Sequence, residues 1–224
     1  PIVPIGEKLL LNDYDYFLNL GGIANISFNS KNPDSAYIAF DVCPANRVLN
    51  LLANQVGKEY DEGGQMAAIG KVNLPLLEKL NSLDYYAQSY PKSLANDFGT
   101  DTVYPLIIKA GLSPEDAIRT YSEHIIYQVG RSINPAGHEH TKGRLLITGG
   151  GAFNDFLVGG LQRVLKESGI EVVVPDKNLV NYKEALIMAL IGVLRWRQEY
   201  TVIATVTGAS RDSIGGALWI GQEA

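Results

Sequence analysis

Apolar and polar positions follow two different rhythms along this chain. Asp15 to Leu20 (DYFLNL) and Ile23 to Phe28 (IANISF) are short β-prone runs separated by Gly21 and Gly22. Two such runs joined by Gly-Gly predict a hairpin, because both turn positions tolerate positive φ. Asn29 to Ser35 (NSKNPDS) predicts a second turn and Ala36 to Val42 (AYIAFDV) a third strand, completing an antiparallel meander. Pro44 then opens a helix with Val48, Leu49, Leu52 and Val56 on one face and Gly57 as its stop. Asp61 to Ser89 reads as short helices ending in the cluster Tyr85, Tyr86 and Tyr90. Ser113-Pro114-Glu115-Asp116 is a helix start, with a capping hydroxyl, proline at the first helical position and acids against the macrodipole. The helix that follows turns Ile118, Tyr121, Ile125 and Val129 inward at helical spacing.

From Arg144 the rhythm changes. Leu145 to Thr148 is a short apolar strand, Gly149-Gly150-Gly151 a tight turn, and Phe153 to Ser168 a helix stopped by Gly169. Glu171 to Val174 is another apolar strand, and a long helix runs from about Asn181 to Gln198. Strand, helix, strand, helix with short connections implies parallel pairing and right-handed crossovers. The glycine-rich segment from Val206 to Trp219 is expected to pack back on the body. With no flexible linker and no internal repeat, the expectation is one mixed-sheet α/β domain: a three-strand antiparallel meander, then parallel αβαβα, with helices on both faces.

Composition narrows the functional classes. The 224 residues carry 19 basic and 24 acidic side chains, a net charge of −5, without the basic stripe that a nucleic-acid binder needs. The single cysteine, Cys43, sits among Phe40, Val42, Pro44 and Ala45, which predicts a buried, unreactive thiol rather than a disulfide or zinc ligand. The longest apolar run, Ala185 to Leu194, is far shorter than the roughly 18 residues of a membrane span. No signal peptide opens the chain, and a cytoplasmic location is expected. The chain begins at Pro1-Ile2-Val3-Pro4 without an initiator methionine, which suggests a piece of something longer.

Few residues suggest chemistry. A Gly21-Gly22 bend presents backbone N–H groups with no side chain in the way, which suits an anion, although a plain hairpin turn needs no more than this. Gly149, Gly150 and Gly151 lie between a buried strand and a helix, where open α/β sheets bind ligands. Their spacing rejects a Rossmann dinucleotide loop, since Gly-x-Gly-x-x-Gly from Gly149 would require glycine at Asn154. Asp41 ends the third strand, and a carboxylate at a strand end serves as general base, metal ligand or simply a cap for the next helix. His138-Glu139-His140 lacks a third ligand and reads as a solvated loop, His124 reads as a surface residue or core filler on a helix, and Trp196 and Trp219 read as core.

Taken together, several strings resemble one family. Asn19-Leu20-Gly21-Gly22-Ile23-Ala24-Asn25, Phe40-Asp41 through Asn46, Lys58 with Tyr60-Asp61, Gly70-Lys71-Val72, Pro91-Lys92-Ser93, Gly149-Gly150-Gly151 with Asn154, Glu184-Ala185 and Val206-Thr207-Gly208-Ala209 follow one another in order. The series resembles anhydro-N-acetylmuramic acid kinase from Pro1 to Trp219. The resemblance implies a ribonuclease H-like lobe of the actin-like ATPase class. It also implies a reaction in peptidoglycan recycling, in which water opens 1,6-anhydro-N-acetylmuramic acid while ATP, with Mg2+, phosphorylates the released 6-hydroxyl.

By the same resemblance, Asp41 is the general base, Gly21, Gly22 and Asn25 belong to a phosphate-binding hairpin, and Gly149, Gly150, Gly151 and Asn154 lie by the adenosine. Asn46 and Glu184 fall near the sugar, and a homodimer is implied. This chain departs from the family where Thr-Gly-Pro-Gly-Asn becomes Val42-Cys43-Pro44-Ala45-Asn46, and where Thr-Gly-Arg-Glu becomes Leu94-Ala95-Asn96-Asp97. The family's first phosphate loop has no counterpart here. The expectation is therefore a C-terminal lobe, residues 1–224, of a two-lobe kinase, inactive without its partner lobe. Two other readings stay open: a non-catalytic nucleotide- or partner-binding module of the same superfamily, and a kinase for a different sugar.

Overall fold

The computed structural model describes residues 2–29, 37–133, 142–219 and 221. Five strands, β1 (Tyr16–Leu20), β2 (Ile23–Asn29), β3 (Tyr37–Pro44), β4 (Gly143–Thr148) and β5 (Ile170–Val173), form one sheet in the order β3-β2-β1-β4-β5. β1, β2 and β3 pair antiparallel, and β1, β4 and β5 pair parallel, as the meander and the αβ repeat predict. The helices are α1 (Val3–Leu10), α2 (Asn46–Asn54), α3 (Gln65–Ile69), α4 (Leu74–Asn81), α5 (Tyr104–Ile108), α6 (Pro114–Ile133), α7 (Asp155–Lys166), α8 (Lys177–Trp196) and α9 (Ala204–Thr207).

Alternation along the strands explains why the sheet is covered twice. Leu18, Leu20, Ile26, Phe40, Leu145 and Ile147 face a large core built on α2, α6 and α7. The intervening Phe17, Tyr37 and Leu146 face a smaller one with Ile5 of α1, Leu194 of α8, and Ile203 and Val206. α1 sits so close to α8 that a Cβ on Gly6 would lie 2.3 Å from Ile187 Cγ1. A buried ion pair joins the same two helices: Lys183 Nζ donates to Glu7 Oε1 at 2.7 Å, with both side chains about 5% exposed or less. Ser27 Oγ of β2 donates to the other Glu7 oxygen and lies 3.1 Å from the Tyr37 hydroxyl.

Several local expectations need correction. Pro44 does not open a helix; it ends β3 opposite Ile23, and its carbonyl accepts from the buried Tyr121 hydroxyl at 2.7 Å. α2 starts at Asn46 and ends at Asn54, leaving Val56 exposed beyond it. α8 begins at Lys177, earlier than periodicity suggests, because the Asp176 carboxylate caps Asn178 N and Leu179 N. Trp196 and Trp219, read as core, are 69% and 91% exposed. The packed face of α8 carries Val180, Lys183, Ile187 and Leu194, and Trp196 lies off it. α1 has no counterpart among the expected elements, since eight residues beginning beside a proline carry little periodic signal. Asn154 caps α7 rather than lying inside it, with Oδ1 accepting from Leu157 N at 3.0 Å. Of the turn expected over Asn29 to Ser35, Asn29 is the last residue of β2; the rest of that stretch, and His138, Glu139 and His140, lie outside the described residues.

His124 is fully buried on α6. Its Nδ1 faces Asn81 Oδ1 at 2.7 Å, an oxygen that also accepts from Gln128 Nε2, so Nδ1 carries the proton and Nε2 accepts from the Tyr86 hydroxyl at 3.0 Å. Burial lowers its pKa from 6.5 to about 3. Between those values the unfolded chain binds a proton that the folded chain refuses, so this site costs nothing above pH 6.5 and destabilises progressively as pH falls toward 3. His124→Gln is expected to flatten the acid limb by about 1.4 kcal/mol per pH unit between about pH 5 and 4. Urea unfolding at a series of pH values measures this; an unchanged slope refutes the assignment.

Candidate active site

The ends of β1, β3 and β4 meet at one edge of the sheet, and the glycine bends and Asp41 lie there. The Gly21-Gly22 turn is held from below by α2: Gly21 O accepts from Asn46 N at 3.0 Å, and Gly22 O from Ala45 N at 2.8 Å. Neither glycine takes the positive φ expected of the turn. Their N–H groups meet no acceptor among the described residues, so the bend keeps two free donors. Asn46 reaches under the hairpin, its Nδ2 donating to Leu20 O at 2.9 Å.

The second bend needs its glycines for space. Gly149 has φ 81°, and a Cβ there would lie 2.7 Å from Asn19 Oδ1 and 2.9 Å from the Leu20 carbonyl. A Cβ on Gly151 would come within 2.6 Å of Leu20 Cβ. The bend is therefore pressed against the end of β1, which brings it beside the hairpin.

Asp41 is half-buried on the face of the sheet that α1 and α8 cover. A β-bulge puts it there. Ala24 pairs with Cys43 but Asn25 pairs with Asp41, leaving Val42 without a partner and sliding the register by one residue. The Asn25 amide consequently donates directly to Asp41 Oδ1. Asp41 Oδ2 accepts from Ser93 Oγ at 2.9 Å and Leu94 N at 2.8 Å, and its carbonyl accepts from the Tyr85 hydroxyl. Asp41 is thus no helix cap: α2 has no side-chain cap at all. Three donors occupy three of about four acceptor positions on the carboxylate, leaving one free. Ser93 belongs to one of the family-like strings, but nothing local links it to a carboxylate 52 residues away.

Two clefts open at this edge. One, about 690 Å³, is lined by Asn19, Asn25, Asp41, Lys92 and Ser93, together with Pro4 and Glu7 of α1 and Thr207 of α9. Asn19 carries no side-chain hydrogen bond among the described residues, and no sequence argument singled out its amide. The other, about 810 Å³, is lined by Asn46, Gly150, Gly151, Asn154, Tyr60 and Lys177, among others. Asp61 shapes its wall: buried, it holds Met66 N at 2.8 Å and Ala67 N at 3.0 Å. The hairpin glycines stand between the clefts and line neither. Glu184 is exposed on α8 and also lines neither, whereas Asn181, three residues before it, lines the second.

The departures at Cys43 and Ala45 turn away from the clefts. Both residues are fully buried, and burial raises the Cys43 thiol well above its ordinary pKa, so it stays protonated. No group of three or more His, Cys, Asp and Glu among the described residues could hold a metal ion. No helix among them is long and apolar enough to cross a membrane.

A family model described as anhydro-N-acetylmuramic acid kinase matches residues 1–221. Proteins of that name from Burkholderia lata and Burkholderia ambifaria are 33% and 34% identical over 208 and 212 residues, in each case 90% of this chain and 54% of the relative. The one from Francisella tularensis subsp. novicida is 32% identical over 97% of this chain and 59% of its own length. The chain therefore spans somewhat more than half the length of the relatives it matches. Among solved structures, the activator of 2-hydroxyisocaproyl-CoA dehydratase from Clostridium difficile, with bound ADPNP, superposes with a TM-score of 0.50 at 16% identity, covering 88% of this chain and 67% of that one. Component A of (R)-2-hydroxyglutaryl-CoA dehydratase from Acidaminococcus fermentans gives 0.50 at 18% identity, covering 84% and 65%. At these identities the likeness is one of fold.

Proposed function

Because this chain belongs to the anhydro-N-acetylmuramic acid kinase family and has the actin-like ATPase fold, we propose that it is one lobe of an ATP-dependent sugar kinase. The reaction is hydrolytic opening and phosphorylation of 1,6-anhydro-N-acetylmuramic acid. Water adds to C1, the C1–O6 bond breaks, and O6 takes the γ-phosphoryl group of ATP, giving N-acetylmuramic acid 6-phosphate and ADP. In this reading the product re-enters amino sugar metabolism in the cytoplasm, and the working unit is a homodimer.

The observation that carries the proposal is the Asp41 carboxylate, gripped by three donors at a cleft edge with one acceptor position left over. A base for water needs a fixed direction and a free lone pair, and Asn25, Ser93 and Leu94 N supply the first while leaving the second. The free N–H groups of Gly21 and Gly22 suit phosphate oxygens, since phosphoryl transfer depends mainly on positioning and electrostatic stabilisation. The second cleft, with Gly150, Gly151 and Asn154, would take the nucleoside end; Asn46 lines that same cleft while bracing the hairpin, so it would border the sugar only where the two clefts adjoin. Glu184, exposed on α8 and outside both clefts, has no role in this reading.

ATP chemistry brings Mg2+, which phosphate oxygens and waters hold with one or two carboxylates; no group of three or more His, Cys, Asp and Glu among the described residues adds a cage of its own. The missing half of the phosphate clamp is assigned to the sequence that the longer relatives carry beyond this match. The test is ADP release coupled to disappearance of the anhydro sugar. Turnover is expected from the full-length protein and little or none from the 224-residue chain. Failure of the full-length protein to phosphorylate this sugar, while turning over another, would overturn the substrate assignment.

A further inference from the structure

Behind Asp41, on the other face of β3, lies a third cavity of about 400 Å³, between the strands and the last turns of α6. Its walls are aromatic: Phe28, Phe40, Tyr86 and Tyr90 all line it, with the Phe40 and Tyr90 rings stacked at 5.9 Å. Two cations, Lys92 and Arg131, share that wall, and no acidic residue does. Neither has a carboxylate partner among the described residues, although five other cations do.

Arg131 alone would be ordinary, since a basic residue in the last turn of a helix offsets the helix dipole. Lys92 has no such reason. Its Nζ sits 4.7 Å from the Tyr85 ring centroid and 5.6 Å from that of Phe40, with a carbonyl contact at 3.4 Å. Burial, and then the charge of Arg131, push its pKa down. Two like charges facing one aromatic cavity without a counter-charge repel each other, and an anion seated between them would remove that cost.

We propose that this cavity is a binding site for a small organic anion, with a carboxylate or phosphate head on Lys92 and Arg131 and a flat apolar body against Phe28, Phe40 and Tyr90. The site adjoins the Asp41 cleft, and Phe40 and Lys92 line both. The Lys92 carbonyl accepts from Asp41 N at 3.4 Å, and the next two residues hold the Asp41 carboxylate. The inference does not rest on the kinase reading.

The test is titration of the isotope-labelled chain with benzoate and with phenyl phosphate at constant ionic strength, with benzyl alcohol as the neutral control. Saturable shifts of the Phe40 and Ser132 amides are expected with one or both anions and not with the alcohol; which anion binds tighter identifies the head group. Arg131→Gln, at an exposed position outside the proposed catalytic machinery, should weaken binding about tenfold, the loss of one charge-assisted contact. Arg131→Lys should recover part of it. No saturation by either anion, equal binding of the alcohol, or an Arg131→Gln affinity equal to that of the parent would each overturn the proposal.

Discussion

Replacing Asp41 by Asn in the full-length protein is expected to lower kcat by about 10²- to 10⁴-fold, the range that one positioned general base supplies. Nucleotide affinity should hardly move. The substitution is nearly isosteric, and the existing contacts can be kept: the new amide oxygen accepts from Ser93 and Leu94 N, while the Asn25 amide turns to accept from the new NH2. What is lost is a group able to take a proton from water. Calorimetric titration with a non-hydrolysable ATP analogue, alongside steady-state ADP release, separates the two effects. A variant that turns over within about tenfold of the parent would remove Asp41 from the role of base.

The second large effect is on stability. Lys183→Met should destabilise the fold by about 3–5 kcal/mol, because it leaves the Glu7 carboxylate buried without its counter-charge. Ser27 then remains as a neutral donor to that carboxylate. The double variant Glu7→Leu/Lys183→Met should recover most of the loss, since a buried ion pair replaced by apolar side chains is often neutral or stabilising. Urea unfolding of the parent, the single and the double variants completes the comparison. If the single variant costs less than about 1 kcal/mol, the pair is a surface-like contact and the tight docking of α1 on α8 has another cause. The outcome also bears on the cleft, because Pro4 and Glu7 of α1 form part of the wall that faces Asp41.

Much of this protein is legible in one dimension. The meander, the parallel αβ repeat and the Ser113-Pro114 helix start follow from periodicity and turn chemistry, because those signals lie within a few residues of the structure they specify. The glycine bends are equally visible, since a lost side chain marks a close approach wherever it occurs, and Gly149 meets Leu20 as that logic requires. The order of short strings extends this legibility to the family. Local signal is thin or misleading at α1 beside its proline, at Pro44, which ends a strand rather than opening a helix, and at Trp196 and Trp219, which are exposed.

The carboxylate and its surroundings belong to the other category. The sequence determines that an aspartate lies in the third strand, although the strand runs on to Pro44 rather than ending at Asp41, and that glycines follow β1 and β4. It does not determine where that carboxylate points. Had the pairing of Ala24 with Cys43 run on regularly, Asn25 would face Val42, and its amide would miss Asp41. One unpaired residue, Val42, shifts the register, and only the assembled sheet settles whether a strand bulges. Ser93 and Leu94 reach Asp41 because the chain returns along β3 some fifty residues later, and Glu7 meets Lys183 across 176 residues of sequence. Such contacts are settled by the packing of whole elements, which leaves no trace in the residues on either side.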